Sequence, residues 1–129
     1  MSDSFIPDDV ARFILEKIDS VAQLEALLLL RNDANVQWSA QALAKRLYIT
    51  DKETAELLER LCADGFLVAS SGPPLLYHYQ PGSQELGEMI DRAAALYSKH
   101  LVPVTNLIHS KPKTRVQEFA DAFRLRKDK

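Results

Sequence analysis

Apolar residues recur along this chain with a helical period, and each run begins and ends on residues that start or stop helices. Val10, Phe13, Ile14 and Ile18 follow Pro7 at helical spacing. They predict an N-terminal helix with proline in its first turn, where the missing N–H costs nothing. Ser20 with Gln23 three residues on is a capping-box pattern. Val21, Leu24, Leu27, Leu28 and Leu30 continue it as a strongly apolar second helix, which "RNDAN" (31–35) ends. "VQW" (36–38) alternates and predicts a short strand with Val36 and Trp38 on one face. Ser39 caps a short third helix, "AQALAKRLY", with Ala42, Leu43 and Leu47 inward. After a break of two or three residues, Thr50 with Glu53 forms another capping box and opens a fourth helix at Asp51. Gly65 closes it, because glycine takes the left-handed conformation that a helix end needs.

The period then shifts from helical to alternating. "FLVAS" (66–70) and "LLYHYQ" (75–80) read as two strands joined by the turn "SGPP" (71–74), a β-hairpin directly after a helix pair. Beyond "PGS" (81–83) the helical period returns. Leu86, Met89, Ile90, Ala93, Tyr97, Leu101, Val104 and Ile108 recur at near-heptad spacing across residues 84–110. That length is about 40 Å at 1.5 Å per residue, and Pro103 should kink or divide it. "KPK" (111–113) breaks the chain again, and Thr114 with Gln117 caps a last short helix, "RVQEFADAFRLRK". The expected fold is mostly α with a small β-hairpin wing. Its parts are residues 1–82 as the core domain with an N-terminal helix, 83–110 as a long helix, and 111–129 as a basic amphipathic tail.

Helix, short strand, helix, tight turn, helix, hairpin is the order of a winged helix-turn-helix. Residues 42–68 resemble that superfamily closely. Leu43, Ala44 and Leu47 match its second helix, Ile49 and Thr50 its turn, and Ala55, Leu58 and Leu61 the core face of its third. Gly65, Phe66, Leu67 and Val68 match the entry to its wing. With the flanking helix and hairpin the resemblance covers roughly residues 20–80. The long helix after the wing also resembles that of small bacterial regulators of the MarR and PadR type, without assigning the chain to either. The resemblance implies a protein of transcription regulation whose third motif helix, residues 51–64, would enter the major groove. The same near-heptad residues, Leu86 to Ile108, would then be the seam of a homodimer, with Phe5, Ile6, Phe13 and Ile14 to cover it. Return of that helix across its own domain is the alternative.

Charge changes this picture. The net charge is −2 over 129 residues, but the last 31 residues carry +5. Residues 50–68 hold five acids against two bases. On a helical wheel, Thr54, Ala55, Leu58, Leu61 and Cys62 take the buried side. Lys52, Glu53, Glu56, Glu59 and Arg60 take the face that would meet DNA. Lys52 to Glu56 and Glu56 to Arg60 are i,i+4 pairs, each worth about 0.2–0.5 kcal/mol. A face that neutralises its own bases has little left for phosphates, and residues 66–82 contain no Lys or Arg. Against this, Lys45 and Arg46 lie on the helix that crosses the phosphate backbone, and Lys111, Lys113 and Arg115 could add an arm. In the tail, Val116, Phe119 and Phe123 share one face, rimmed by Arg124 and Arg126, as suits an apolar groove with acidic edges.

Catalysis has no visible foundation. His78, His100 and His109 lack metal-ligand spacing, and Cys62 is alone and on a core face. Four glycines form no phosphate-binding loop. No catalytic residue, cofactor or metal is expected. The N-terminus opens acidic and polar, and the longest apolar run, "ALLLL" (26–30), is too short for a bilayer. A cytoplasmic location without membrane contact is the expectation. The leading functional expectation is a winged-helix regulator acting mainly through protein–protein contacts. A DNA-binding regulator is the alternative, and an accessory subunit of a larger complex is the second.

Overall fold

The computed structural model describes residues 6–110. In chain order they form helices Asp8–Lys17 (α1), Val21–Asn32 (α2), Ala40–Leu47 (α3) and Asp51–Ala63 (α4). Strands Leu67–Ala69 (β1) and Tyr77–Tyr79 (β2) follow, then helix Gln84–Lys99 (α5) and a further helix over residues 101–110 (α6). Phe5 and the tail segment 111–129 lie outside the described residues.

The helix starts expected at Ser20, Ser39 and Thr50 form as caps, and Ser83 adds one that the pattern did not single out. Ser20, Ser39, Thr50 and Ser83 each accept a hydrogen bond from the backbone N–H three residues on. Each removes one orphan donor from a helix N-terminus. At Thr50 the capping box closes in both directions. At Ser20 only half of it forms, because the Gln23 carbonyl oxygen accepts from the Asp19 N–H instead. Gln23 is buried, so its side chain ties down the α1–α2 corner from inside.

α2 lies at the centre, packed against α3, α4 and β2. Leu24, Leu27 and Leu30 are buried, and Leu28 and Leu29 are partly covered, which explains why this helix is apolar on most sides. Ile14, Ile18, Leu43, Leu58, Leu61 and Phe66 join it in one core. The Phe13 and Phe66 rings meet there at 5.8 Å and a tilt of 49°.

The hairpin is antiparallel, with Leu67 opposite Tyr79 and Ala69 opposite Tyr77. Its strands are shorter than the alternation predicts. Beyond them, pairing continues through single bonds, from the Gln80 N–H to the Phe66 carbonyl (3.1 Å) and from the Ser70 N–H to the Leu76 carbonyl (2.7 Å). Gly65 has φ +85°, the left-handed turn expected of it. The strand expected over 36–38 shrinks to one bridge, Trp38 with Tyr77, in which each N–H donates to the other's carbonyl at 2.8 Å. Val36 is 46% exposed and does not share a buried face with Trp38. On α3, Ala44 takes the inward position expected of Ala42, which is exposed.

The long helix is divided. α5 ends at His100, whose N–H donates to the Leu96 carbonyl and whose own carbonyl accepts from Val104 in α6. Pro103 explains the position. A continuous helix would press its ring against the Lys99 carbonyl, whereas in the first turn of a new helix its missing N–H costs nothing. The break also turns Val104 and Ile108 into the core. Of the eight residues expected to form a dimer seam, Ile90, Ala93, Val104 and Ile108 are therefore buried within their own chain, along with Ile6, Phe13 and Ile14. Leu86, Met89 and Tyr97 are partly covered, and Leu101 remains 52% exposed.

Candidate nucleic-acid interface

α3 and α4 pack directly on each other through a two-residue turn, Tyr48 and Ile49, ahead of the Thr50 cap. Leu43 and Ala44 of α3 and Thr54, Leu58 and Leu61 of α4 are buried. Thr54 is tolerated inside because its hydroxyl donates to the Thr50 carbonyl at 2.8 Å. Ala55, expected on the buried side, is exposed, and Leu57 is half-buried instead. Lys52, Glu53, Glu56, Glu59 and Arg60 all face outward, as the wheel predicts.

Their pairing differs from expectation. Arg60 reaches Asp19, ahead of α2, at 3.1 Å and Asp64 at 3.3 Å, not Glu56. Lys52 and Glu56 form no ion pair among the described residues. Because Asp19 lies across the α2–α4 junction, it offers Arg60 a partner that no i,i+4 rule could reveal. α4 thus has two ends of different character. Around Arg60 the bases are engaged by carboxylates. Around Lys52 the ammonium is uncommitted.

The turn presents a residue that pattern reading overlooked. Tyr48 is 92% exposed and sits at φ 59°, ψ 42°, in the left-handed region. Its N–H and that of Ile49 both donate to the Ala44 carbonyl, which closes α3. A glycine would close it with less strain. The available signal was an aromatic at a helix stop that lacks glycine.

Beside Tyr48, Lys45 and Arg46 occupy the last turn of α3 and are exposed, where positive charge favours the helix dipole. The Arg46 guanidinium lies 5.6 Å from the centre of the Trp38 ring, a cation–π contact that orients it. Trp38 bridges to Tyr77, so Arg46 is linked to the root of the wing. The structure thus brings Lys45, Arg46 and Tyr48 to one corner at the start of α4, with Lys52 in the first turn of that helix. The wing tip, residues 70–76, adds hydroxyls and prolines but no charge. Lys111, Lys113, Arg115, Val116, Phe119, Phe123, Arg124 and Arg126 lie outside the described residues.

Elsewhere, burial and neighbouring charges shift several titratable groups. Burial, then the nearby Glu59 charge, pushes the Cys62 thiol up, away from thiolate chemistry. Burial is also the first cause raising Tyr77 and Tyr79. Tyr97 is pushed up to about 12, first by burial and then by its hydrogen bond to the Glu25 carboxylate. The Arg92 guanidinium, bidentate on Asp9 at 2.6 and 3.0 Å, holds that carboxyl below its usual range. No group of three or more possible metal ligands occurs among the described residues, and no described helix is long and apolar enough to cross a membrane.

The folds of solved transcription regulators resemble this one. The transcriptional regulator MosR of M. tuberculosis superposes with a TM-score of 0.54 at 15% identity, over 99% of this chain and 87% of its own. A point mutant of MarR from E. coli gives 0.53 at 15% identity, over 90% and 85%. The adhesin competence repressor AdcR of Streptococcus pyogenes gives 0.50 at 16% identity, over 91% of both chains. These are MarR-type winged-helix proteins, and the likeness is one of fold. No protein-family model matches the chain, and no curated protein sequence does.

Proposed function

We propose that this protein is a DNA-binding winged-helix regulator of transcription that works as a homodimer. The observation carrying this reading is the α3–α4 corner, where Lys45, Arg46, Tyr48 and Lys52 are exposed at the end of α4 that meets base edges in helix-turn-helix complexes. The expectation of protein contacts rested on bases cancelled along α4, together with the uncharged wing and the basic Phe-containing tail. Lys52 escapes that cancellation. The fold-level likeness to transcription regulators supports the same direction, as analogy. In this reading Lys45 and Arg46 grip phosphates, and Tyr48 and Lys52 reach the groove. Three cations per subunit from this corner make binding modest and strongly dependent on salt.

Fluorescence anisotropy of a labelled random duplex across a salt series tests this. Full-length protein should bind at low salt, with log K falling linearly against log salt. Lys45→Gln and Arg46→Gln should each weaken binding uniformly across sequences and, removing one contact per subunit, reduce the slope of the bound dimer by about 2. Absence of duplex binding even at low salt, or slopes untouched by either substitution, would exclude this interface.

A further inference from the structure

The outer side of the α2–α4 junction is a groove of about 320 Å³. Ala22, Ile49 and Leu57, all half-buried, form its apolar floor. Asp19, Glu53, Glu56 and Arg60 stand around it. Arg60 is already held by Asp19, so the rim is acidic overall, and Asp51 and Glu59 extend that charge along α4. An acidic groove repels phosphate, so the side of α4 that carries Glu53 and Glu56 is unsuited to the backbone of DNA. It suits an apolar segment with a basic border.

The chain contains such a segment. Residues 111–129 hold seven bases and three acids, and Val116, Phe119 and Phe123 fall at helical spacing with Arg115, Arg124, Arg126 and Lys127 around them. We propose that residues 114–127 of the same chain dock in the α2–α4 groove. Phe119 or Phe123 enters over Ala22, Ile49 and Leu57, while the basic residues meet Asp19, Glu53 and Glu56. The mode is that of an amphipathic helix laid in a groove. A volume near the lower end of ligand pockets holds one or two aromatic rings and little more. Phe119 lies nine residues past Ser110, the last described residue, and so has a reach of up to about 30 Å. Charge decides which occupant fits: of the chain's segments, the acidic rim matches only the one with a net charge of +4. Docking there would cover the Glu53 and Glu56 carboxylates, next to the Lys45–Tyr48 corner. The inference does not depend on whether that corner binds DNA.

Methyl-labelled full-length protein tests it by nuclear magnetic resonance. Phe119→Ala with Phe123→Ala should shift the methyl signals of Ala22, Ile49 and Leu57 most, and high salt should shift them the same way. Carbodiimide coupling should join Lys113 or Lys127 to Asp19, Glu53 or Glu56. The double variant should lower that yield roughly tenfold, the loss expected when hot-spot aromatics are truncated. Couplings within one chain support the assignment, and couplings found only between copies, which a mixture of light and heavy protein tells apart, would overturn it. Methyl shifts confined to other residues, or coupling yields that the variant leaves unchanged, would overturn it.

Discussion

Tyr48 carries a cost in stability at a position proposed to meet DNA. A left-handed backbone costs a non-glycine residue roughly 1–2 kcal/mol, and its almost fully exposed ring recovers little of that by burial. Tyr48→Gly should therefore raise stability by about 1 kcal/mol, seen as a higher urea midpoint at unchanged m, while weakening duplex binding. Tyr97 poses a simpler question, because its raised pKa stabilises the neutral phenol in the fold. The stability that this shift contributes is fully present below about pH 10. It is lost as pH rises toward about 12, the folded-state value. Tyr97→Phe should flatten the pH dependence of thermal unfolding over that window. Below it, the substitution should cost about 1 kcal/mol, since the Glu25 partner is exposed and solvent-screened.

At the scale of elements, α4 depends on its start more than on its surface charges. The Thr50–Glu53 box satisfies donors that nothing else in the turn reaches, and Thr50 also anchors the buried Thr54 hydroxyl. Thr50→Ala should cost about 1 kcal/mol by denaturant unfolding. The same cap holds the α3–α4 corner, so a loss of duplex affinity larger than the stability loss explains would mark it as part of the interface. The box and the Gly65 stop were legible in the sequence because both are local. The pairing of Arg60 with Asp19 was not, since the partners lie 41 residues apart and meet only when α2 packs on α4. Pro103 announced a break; that the break falls at His100 and turns Val104 and Ile108 inward required the packed core.

At the scale of the whole molecule, three ion or hydrogen-bond links among the described residues tie α5 to other elements: Arg92 with Asp9, Asp91 with Arg31 and Tyr97 with Glu25. They hold α5 against α1 and α2 and commit its Ile90–Ala93 face to the chain's own core. A homodimer must then use what remains. Leu101 and Val102, exposed by 52% and 64% at the start of α6, are the apolar pair available there. Val102→Asp should convert a dimer to monomer in sedimentation or light scattering of the full chain without lowering the unfolding midpoint of the monomer. If the wild-type chain is monomeric at high concentration, the dimer is excluded.

The sequence by itself determined the order of the helices and the hairpin, the hydroxyl caps at Ser20, Ser39 and Thr50, the glycine stop and the identity of most core positions. These depend on residues within one or two turns of each other, where spacing and propensity are sufficient. It also determined that the face of α4 is mixed in charge. Only the tertiary structure decided which of those charges are committed, because Asp19 comes from another element. Likewise, only the packed chain showed that half of a heptad-like stripe fills its own core. An apolar stripe specifies that a helix must be covered; which surface covers it is a question of packing across the whole chain.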